Sequence, residues 1–155
     1  RLDQAGGNAI TLSNHVWHAA VHDNVISRAG DSGVVLLGST ALMNGTRATY
    51  PAHVNVTGNL MHENGYYGKQ TAAVFRSLAY RVTLARNVLF SSPRSLINVN
   101  DAFRGGDEIE GNVLFGAVTE TADHASFNSW DRQPYFWQDS RDVVADPELL
   151  ACWPR

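Results

Sequence analysis

One short phrase occurs four times along the chain, and it constrains the fold more than any other feature. Each copy begins with two inward-facing positions that have one residue between them. Two spacer residues, an asparagine and two or three apolar residues follow. The copies are Ala19-x-Val21-x-x-Asn24-Val25-Ile26, Val54-x-Val56-x-x-Asn59-Leu60-Met61, Val82-x-Leu84-x-x-Asn87-Val88-Leu89-Phe90 and Asp107-x-Ile109-x-x-Asn112-Val113-Leu114-Phe115. The asparagines follow one another at spacings of 35, 28 and 25 residues. Repeats of this length are typical of a solenoid in which each repeat forms one layer.

Each phrase predicts two short strands joined by a tight turn at or just before the asparagine. Asparagine suits this turn because it tolerates left-handed backbone geometry and can hydrogen-bond its own neighbouring backbone. Stacked from layer to layer, the asparagines would form a ladder of side-chain amides that satisfies buried polar groups. A further apolar segment after each asparagine predicts a third strand, at 34–37, 72–75, 96–99 and 125–128.

These elements predict an all-β fold, a right-handed parallel β-helix (solenoid) of about four rungs that is part of a longer helix. Residues 1–137 would carry the rungs, with 10–14 as the tail of an earlier rung. Residues 138–155 would form a C-terminal loop or edge-covering tail. A leucine-rich or hexapeptide solenoid is the alternative. The repeated leucine spacing of a leucine-rich solenoid is absent from this sequence, and the repeat length is too irregular for a hexapeptide solenoid.

Charge and hydrophobicity exclude two classes of partner. The chain has 12 basic and 15 acidic residues, a net charge of −3, and no run of like charges. Such a surface provides no field that would attract nucleic acid, so we expect no nucleic-acid partner. No stretch approaches the roughly 20 apolar residues that span a bilayer, so we expect no membrane insertion.

The sequence also bears on localisation. Asn44-Gly45-Thr46, in a loop-like stretch, matches the N-glycosylation pattern and predicts a glycan on Asn44 of a secreted or cell-surface glycoprotein. Asn55-Val56-Thr57 matches the same pattern. Cys152 is the single cysteine, so any disulfide partner lies outside this chain.

Three histidines raise the question of a metal site. His15, His18 and His22 would share one face of a helix, where they could bind a metal ion. The repeat instead predicts a strand here, with Ala19 and Val21 pointing inward. We therefore predict neither a metal site nor a cofactor.

With the repeat in place, the chain resembles the secreted right-handed parallel β-helix proteins of the pectin-lyase-like superfamily, which include glycoside hydrolases and polysaccharide lyases. The resemblance covers roughly residues 10–137. Its most specific part is Asp123-His124-Ala125-Ser126-Phe127-Asn128-Ser129-Trp130-Asp131-Arg132-Gln133-Pro134, which is similar to an Asp-His-Gly…Asn-Ser/Thr-Trp-Asp-Arg-x-Pro stretch of extracellular β-helix proteins. Ala125 stands where the similar sequences often have glycine. The resemblance implies that the partner is a polysaccharide or another glycan.

The candidate site follows from what carbohydrate chemistry requires. A parallel β-helix offers a flat sheet flanked by loops, and glycan cleavage needs carboxylates or a base beside polar and aromatic binding groups. The predicted catalytic residues are Asp101, Asp123, His124 and Asp131. The predicted substrate-binding residues are Asn98, Asn100, Asn128, Trp130, Arg132 and Tyr135. These residue types are compatible with hydrolysis and with β-elimination.

Each of these residues also has a structural interpretation. Asp123 could begin a turn, Asp131 and Arg132 could form an ion pair, and Trp130 could cover the edge of the core. The alternative function is accordingly a non-catalytic structural or adhesive module, whose rungs stack on further β-helix rungs or on identical chains in a larger extracellular assembly.

Overall fold

The computed structural model describes residues 1–39, 50–102 and 105–130, and every regular element in these ranges is a β-strand. In chain order the strands are β1 Leu2–Asp3, β2 Ile10–Ser13, β3 Ala20–His22, β4 Val25–Ser27, β5 Val34–Leu37, β6 Asn55–Thr57, β7 Leu60–His62, β8 Ala72–Ser77, β9 Thr83–Ala85, β10 Val88–Phe90, β11 Ser95–Asn100, β12 Glu108–Glu110, β13 Val113–Phe115 and β14 Phe127–Trp130. The described residues contain no helix long and apolar enough to cross a membrane.

The strands form three sheets, and all the strand pairs are parallel. Sheet 1 is β3-β6-β9-β12, sheet 2 is β1-β4-β7-β10-β13, and sheet 3 is β2-β5-β8-β11-β14. Each strand pairs with the strand three places later in the chain, so the chain visits the three sheets in turn and returns one layer further on. This pattern fits a parallel β-helix with four coils, β3–β5, β6–β8, β9–β11 and β12–β14. Strands β1 and β2 belong to a preceding coil.

The predicted strands agree with the observed ones to within a few residues. The two strands on either side of each asparagine and the third strand of each coil are all present, and 34–37 matches β5 at both ends. The prediction for residues 10–14 is confirmed as well, because β2 pairs with β5 of the first coil.

The expected backbone geometry of the repeated asparagine is wrong. The residue with positive φ is the one before it: Asp23 (55°), Gly58 (66°), Arg86 (55°) and Gly111 (60°). The left-handed residue turns the chain, so the asparagine keeps ordinary backbone angles and points its amide along the stack. Glycine suits this position, yet an aspartate and an arginine also occupy it.

The core lies between the three sheets and consists of inward-facing columns of aliphatic side chains. Ile26, Met61 and Leu89 are in register on sheet 2 and fully buried. Val34, Val74 and Ile97 form the matching column on sheet 3. Burial of each such side chain stabilises the fold by about 2 kcal/mol, so inward alternation fixes the register of every strand.

The repeated asparagines form the predicted amide ladder at the corner between sheets 1 and 2. The Nδ2 group of Asn24 donates to Asn59 Oδ1 at 3.2 Å, Asn59 Nδ2 donates to Asn87 Oδ1 at 3.0 Å, and Asn87 Nδ2 donates to Asn112 Oδ1 at 2.9 Å. Each receiving Oδ1 also accepts the backbone N–H of the preceding asparagine. The ladder therefore satisfies polar groups that the stack buries.

Two polar residues that interrupt the apolar repeat, Arg76 and Asp107, contact each other. Arg76 occupies an inward position of β8, in register with Leu36 and Val99, and is 1% exposed. Asp107 stands where the other copies of the phrase have alanine or valine. Arg76 Nη2 lies 2.7 Å from Asp107 Oδ2, and Asp107 Oδ1 accepts the backbone N–H of Val82. The irregular fourth copy of the phrase thus supplies the carboxylate that a buried arginine requires.

Candidate functional site

A groove lies on the outer face of sheet 3. Alternation in β8, β11 and β14 sends every second side chain outward, so that Phe75, Asn98 and Asn128 form one column and Ser77, Asn100 and Trp130 another. The groove has a volume of about 440 Å³. It is lined by Gln70, Phe75, Arg94, Asn98, Asn100, His124, Asn128, Ser129 and Trp130.

The floor of the groove is rich in side-chain amides. Asn128 Nδ2 donates to Asn98 Oδ1 at 2.9 Å, so the two amides are linked across neighbouring coils. Asn100 Oδ1 is buried and has no hydrogen-bond partner among the residues that the structure describes. A buried acceptor without a partner is uncommon and costs free energy, which makes it a marker for a group that a bound molecule or water satisfies.

Four side chains form a polar cluster at one side of the groove. Arg94 Nη2 donates to Asp123 Oδ2 at 2.8 Å and lies 2.6 Å from His124 Nε2. Because a guanidinium only donates, Nε2 is the acceptor in this contact, and the imidazole proton sits on Nδ1. Nδ1 lies 3.2 Å from Ser95 Oγ, which receives that proton in a hydrogen bond. Both ring nitrogens of His124 are therefore engaged.

Burial differs within this cluster. The Asp123 side chain is 62% exposed, whereas the Arg94 side chain is only 15% exposed. Arg94 Nε is buried, and no described residue accepts a hydrogen bond from it. The cluster thus places one cation beside the amide floor with part of its donor capacity unused.

Aromatic rings provide the apolar part of the groove. Phe75 lies beside Asn98 in its column, and Trp130 lies beside Asn100 at the end of β14. Trp130 is 55% exposed. A groove with aromatic rings beside converging polar groups is the usual form of a site for a small molecule or glycan.

The structure brings most of the described candidate residues together. Asn98, Asn100, Asn128, Trp130 and His124 all line the groove, and Asp123 contacts Arg94 and His124 at its side. Four predicted residues, Asp131, Arg132, Tyr135 and the glycosylation candidate Asn44, lie outside the described residues.

Asp101 is the exception. We expected it to share a sheet face with Asn98 and Asn100, but β11 ends at Asn100 and Asp101 has a φ of 48°. The residue is 1% exposed and does not line the groove. The left-handed turn ends the strand alternation, so this placement is wrong; a catalytic role for Asp101 stays a prediction.

The sequence did not point to Gln70, Phe75, Arg94 or Ser95. Alternation within 72–77 could have placed Phe75 outward. Arg94 and Ser95 meet His124 only because coils three and four are stacked, about thirty residues apart in the chain. A contact between residues so far apart in the chain leaves no pattern within either segment of the sequence.

The three histidines considered for a metal site are separated by their environments. His15 stacks on Trp17, His18 stacks on His53, and His22 pairs with Asp23. Within the described ranges, no group of three or more histidine, cysteine, aspartate or glutamate side chains is placed to hold a metal ion.

Comparisons with known proteins add no family to this geometry. A scan against protein-family models, a search of curated proteins and a search of solved structures each returned no match. Membership of the pectin-lyase-like superfamily therefore stays a prediction from the sequence.

Proposed function

We propose that the chain is part of a secreted or cell-surface protein that binds a polysaccharide in the groove of sheet 3. The observation that carries this proposal is the amide floor of Asn98, Asn100 and Asn128 beside the exposed ring of Trp130. Sugar hydroxyls both donate and accept hydrogen bonds, as side-chain amides do, and the C–H faces of sugar rings pack on aromatic rings.

Binding without cleavage is the activity that the groove chemistry favours. In this arrangement Arg94 and Ser95 occupy the two ring nitrogens of His124, so neither nitrogen is directed at a ligand in the groove. None of the described lining residues carries a carboxylate. Hydrolysis by a carboxylate pair would need residues such as Asp131, outside the described ranges.

For the fold we propose the right-handed form of the parallel β-helix. Crossover connections between parallel strands of one sheet are right-handed in about 98% of known cases. Each coil contains three such connections, one for each sheet, so a left-handed stack would break this preference throughout.

A binding screen tests the proposed function. The probes are neutral and acidic polysaccharides of plant, algal and bacterial origin, displayed on an array, with affinity then measured by calorimetry. We expect Trp130→Ala to weaken binding roughly tenfold, which corresponds to about 1.4 kcal/mol. Phe115→Ala is the matched control, because Phe115 is equally exposed but lies on sheet 2. Equal effects of the two substitutions would contradict a site in the groove.

A second candidate function is a structural or adhesive module. The fourth coil supports it, since Ile109, Val113, Phe115 and Phe127 are all at least 40% exposed. Further coils or identical chains stacked on this end would cover them. Sedimentation velocity distinguishes the candidates: assembly that depends on concentration and is abolished by Val113→Asp favours the structural module, whereas a stable monomer counts against stacking on identical chains.

A further inference from the structure

Two adjacent tyrosines stand out on the loop between β7 and β8. Tyr66 and Tyr67 are 66% and 73% exposed, more than any other large hydrophobic residue in the described ranges. Their ring centroids are 5.0 Å apart and the ring planes are nearly perpendicular, at 88°. Rings with so much surface in solvent add little to the core, so packing does not explain their position.

The loop that carries the tyrosines is held firmly. The backbone N–H groups of Tyr66 and Tyr67 donate to the carbonyl oxygens of Ala29 and Gly30 on the preceding coil, at 3.1 and 2.8 Å. The neighbouring Gly65 and Gly68 donate to the same two carbonyl oxygens. A Cβ atom at Gly30 would clash with the carbonyl oxygen of Gly6, so the close approach of the Gly6 backbone requires glycine there. The backbone that carries the two rings is therefore pre-organised, which lowers the entropic cost of binding.

A second cavity of about 510 Å³ lies next to Tyr66. Its lining combines polar and apolar surface and comes from three coils: Glu63, Asn64, Gly65, Tyr66, Lys69, Ser91, Pro93, Thr119 and Glu120. Lys69 Nζ donates to Glu120 Oε1 and to the carbonyl oxygen of Gly65, both at 3.0 Å. The cavity thus combines carboxylates, an ammonium group and hydroxyls with an aromatic ring.

This cavity and the groove adjoin the same two segments of chain. Lys69 and Pro93 line the cavity, while their neighbours Gln70 and Arg94 line the groove. A chain of sugars that extends from the groove past Gln70 and Arg94 would therefore approach the cavity beside Tyr66.

We propose that Tyr66, Tyr67 and the adjoining cavity form a second subsite for the polysaccharide that occupies the groove. This inference rests on the proposed function and extends it, because it makes the ligand an oligomer that spans two faces of the solenoid. The aromatic rings pack on sugar faces, and Glu63, Lys69 and Glu120 bind hydroxyl groups.

The test depends on the length of the ligand. The probes are cello-oligosaccharides, which are neutral, and oligogalacturonides, which are acidic, each as a disaccharide, a tetrasaccharide and an octasaccharide. In the series that binds, the double substitution Tyr66→Ala/Tyr67→Ala should weaken octasaccharide binding roughly tenfold and leave disaccharide binding unchanged. Trp130→Ala should weaken both, and Phe115→Ala should weaken neither. Because both tyrosines are exposed, the double variant should keep the circular dichroism spectrum of the parent protein.

Each outcome separates the two proposals. Unchanged octasaccharide binding in the tyrosine variant, with weakened binding in Trp130→Ala, overturns the second subsite and leaves the groove intact. Unchanged binding in both variants overturns the groove site as well. Failure of every probe to bind counts against both proposals. Ring signals of Tyr66 and Tyr67 that shift in NMR spectra only with the octasaccharide would support the second subsite independently of affinity.

Discussion

Asparagine side chains stack in two columns in this protein, and the two columns differ in how many of their hydrogen-bonding groups have partners. In the corner ladder, the buried Asn87 accepts two hydrogen bonds from Asn59 and donates to Val56 and Asn112. In the groove, Asn98 and Asn128 share one amide hydrogen bond, and within the described ranges the neighbouring Asn100 Oδ1 has no partner. The ladder stabilises the fold, whereas the groove keeps hydrogen-bonding capacity for a ligand.

The difference shows that repetition alone does not identify a structural residue. Both columns arise because parallel strands in register stack identical positions on one another. What separates them is the surroundings: at the corner, backbone carbonyl groups of neighbouring strands accept from the ladder amides, whereas the amides on the outer face of sheet 3 line a groove. Stability and ligand affinity should therefore respond in opposite ways to asparagine substitutions in the two columns.

The largest effect should come from breaking the ladder at its centre. Asn87→Ala leaves the backbone N–H of Asn59 without its acceptor and removes the hydrogen bonds that Asn87 Nδ2 donates to the Val56 carbonyl and to Asn112 Oδ1. At roughly 1–3 kcal/mol for a buried group left unpaired and about 1 kcal/mol for each further hydrogen bond lost, we expect a loss of about 4 kcal/mol in the free energy of unfolding, measured in urea. Asn98→Ala, the matched change in the groove, should cost less than about 1 kcal/mol. Similar losses in the two variants would remove the distinction between the columns.

A somewhat smaller loss should follow from separating the buried ion pair. Asp107→Ala leaves the Arg76 guanidinium buried without its carboxylate, and we expect a loss of about 3 kcal/mol. Because the penalty comes from a buried charge that has lost its ion pair with Asp107, Arg76→Met combined with Asp107→Ala should recover at least half of the loss. A double variant less stable than Asp107→Ala alone would show that the arginine contributes through other contacts.

For ligand affinity we expect the opposite order, with a larger effect from a substitution in the groove than from one in the ladder. Asn98→Ala removes one amide of the groove floor and should weaken polysaccharide binding roughly fivefold, or about 1 kcal/mol. Asn24→Ala, at the end of the ladder, is the control, since it changes an asparagine far from the groove. We expect its affinity to equal that of the parent protein. A weaker affinity in Asn24→Ala would indicate that the columns are coupled.

The smallest effect on stability should come from Asp3, an exposed carboxylate that accepts hydrogen bonds from its neighbours. Hydrogen bonds from Arg28 and Ser27, with the nearby charge of Arg28, lower the pKa of Asp3 from 3.8 to about 2. A carboxyl group with a depressed folded-state pKa contributes stability above its unfolded pKa of about 3.9 and loses it as the pH falls toward 2. Asp3→Asn should therefore lower the urea midpoint slightly at neutral pH, and the difference should shrink below about pH 3. A constant difference across this range would exclude the ionised carboxylate as its cause.

The sequence was sufficient for the layers of the fold because each layer repeats the same phrase. Alternation located the strands, and the spacing of Asn24, Asn59, Asn87 and Asn112 located the coils. The turn residue before each asparagine was missed because Asp23, Gly58, Arg86 and Gly111 share a backbone angle and no side-chain chemistry.

The candidate site was only partly predictable for a different reason. Asn98, Asn128 and Trp130 follow from alternation within single strands, so their place in the groove could be foreseen. Arg94 and Ser95 contact His124 across the stack of coils, and the lengths of the intervening loops decide that contact. No pattern within one segment of the sequence specifies it.

The corner between sheets 1 and 2 has two residues in every coil, whereas the connections around sheet 3 differ in length from coil to coil. One corner therefore acts as a fixed seam that keeps the coils aligned, and the loops elsewhere can lengthen or shorten without disturbing the alignment. Evolution can then alter the walls of the groove and the tyrosine loop by insertion or deletion while the stack beneath them stays the same. In such a molecule, ligand specificity can diverge faster than the fold that displays it.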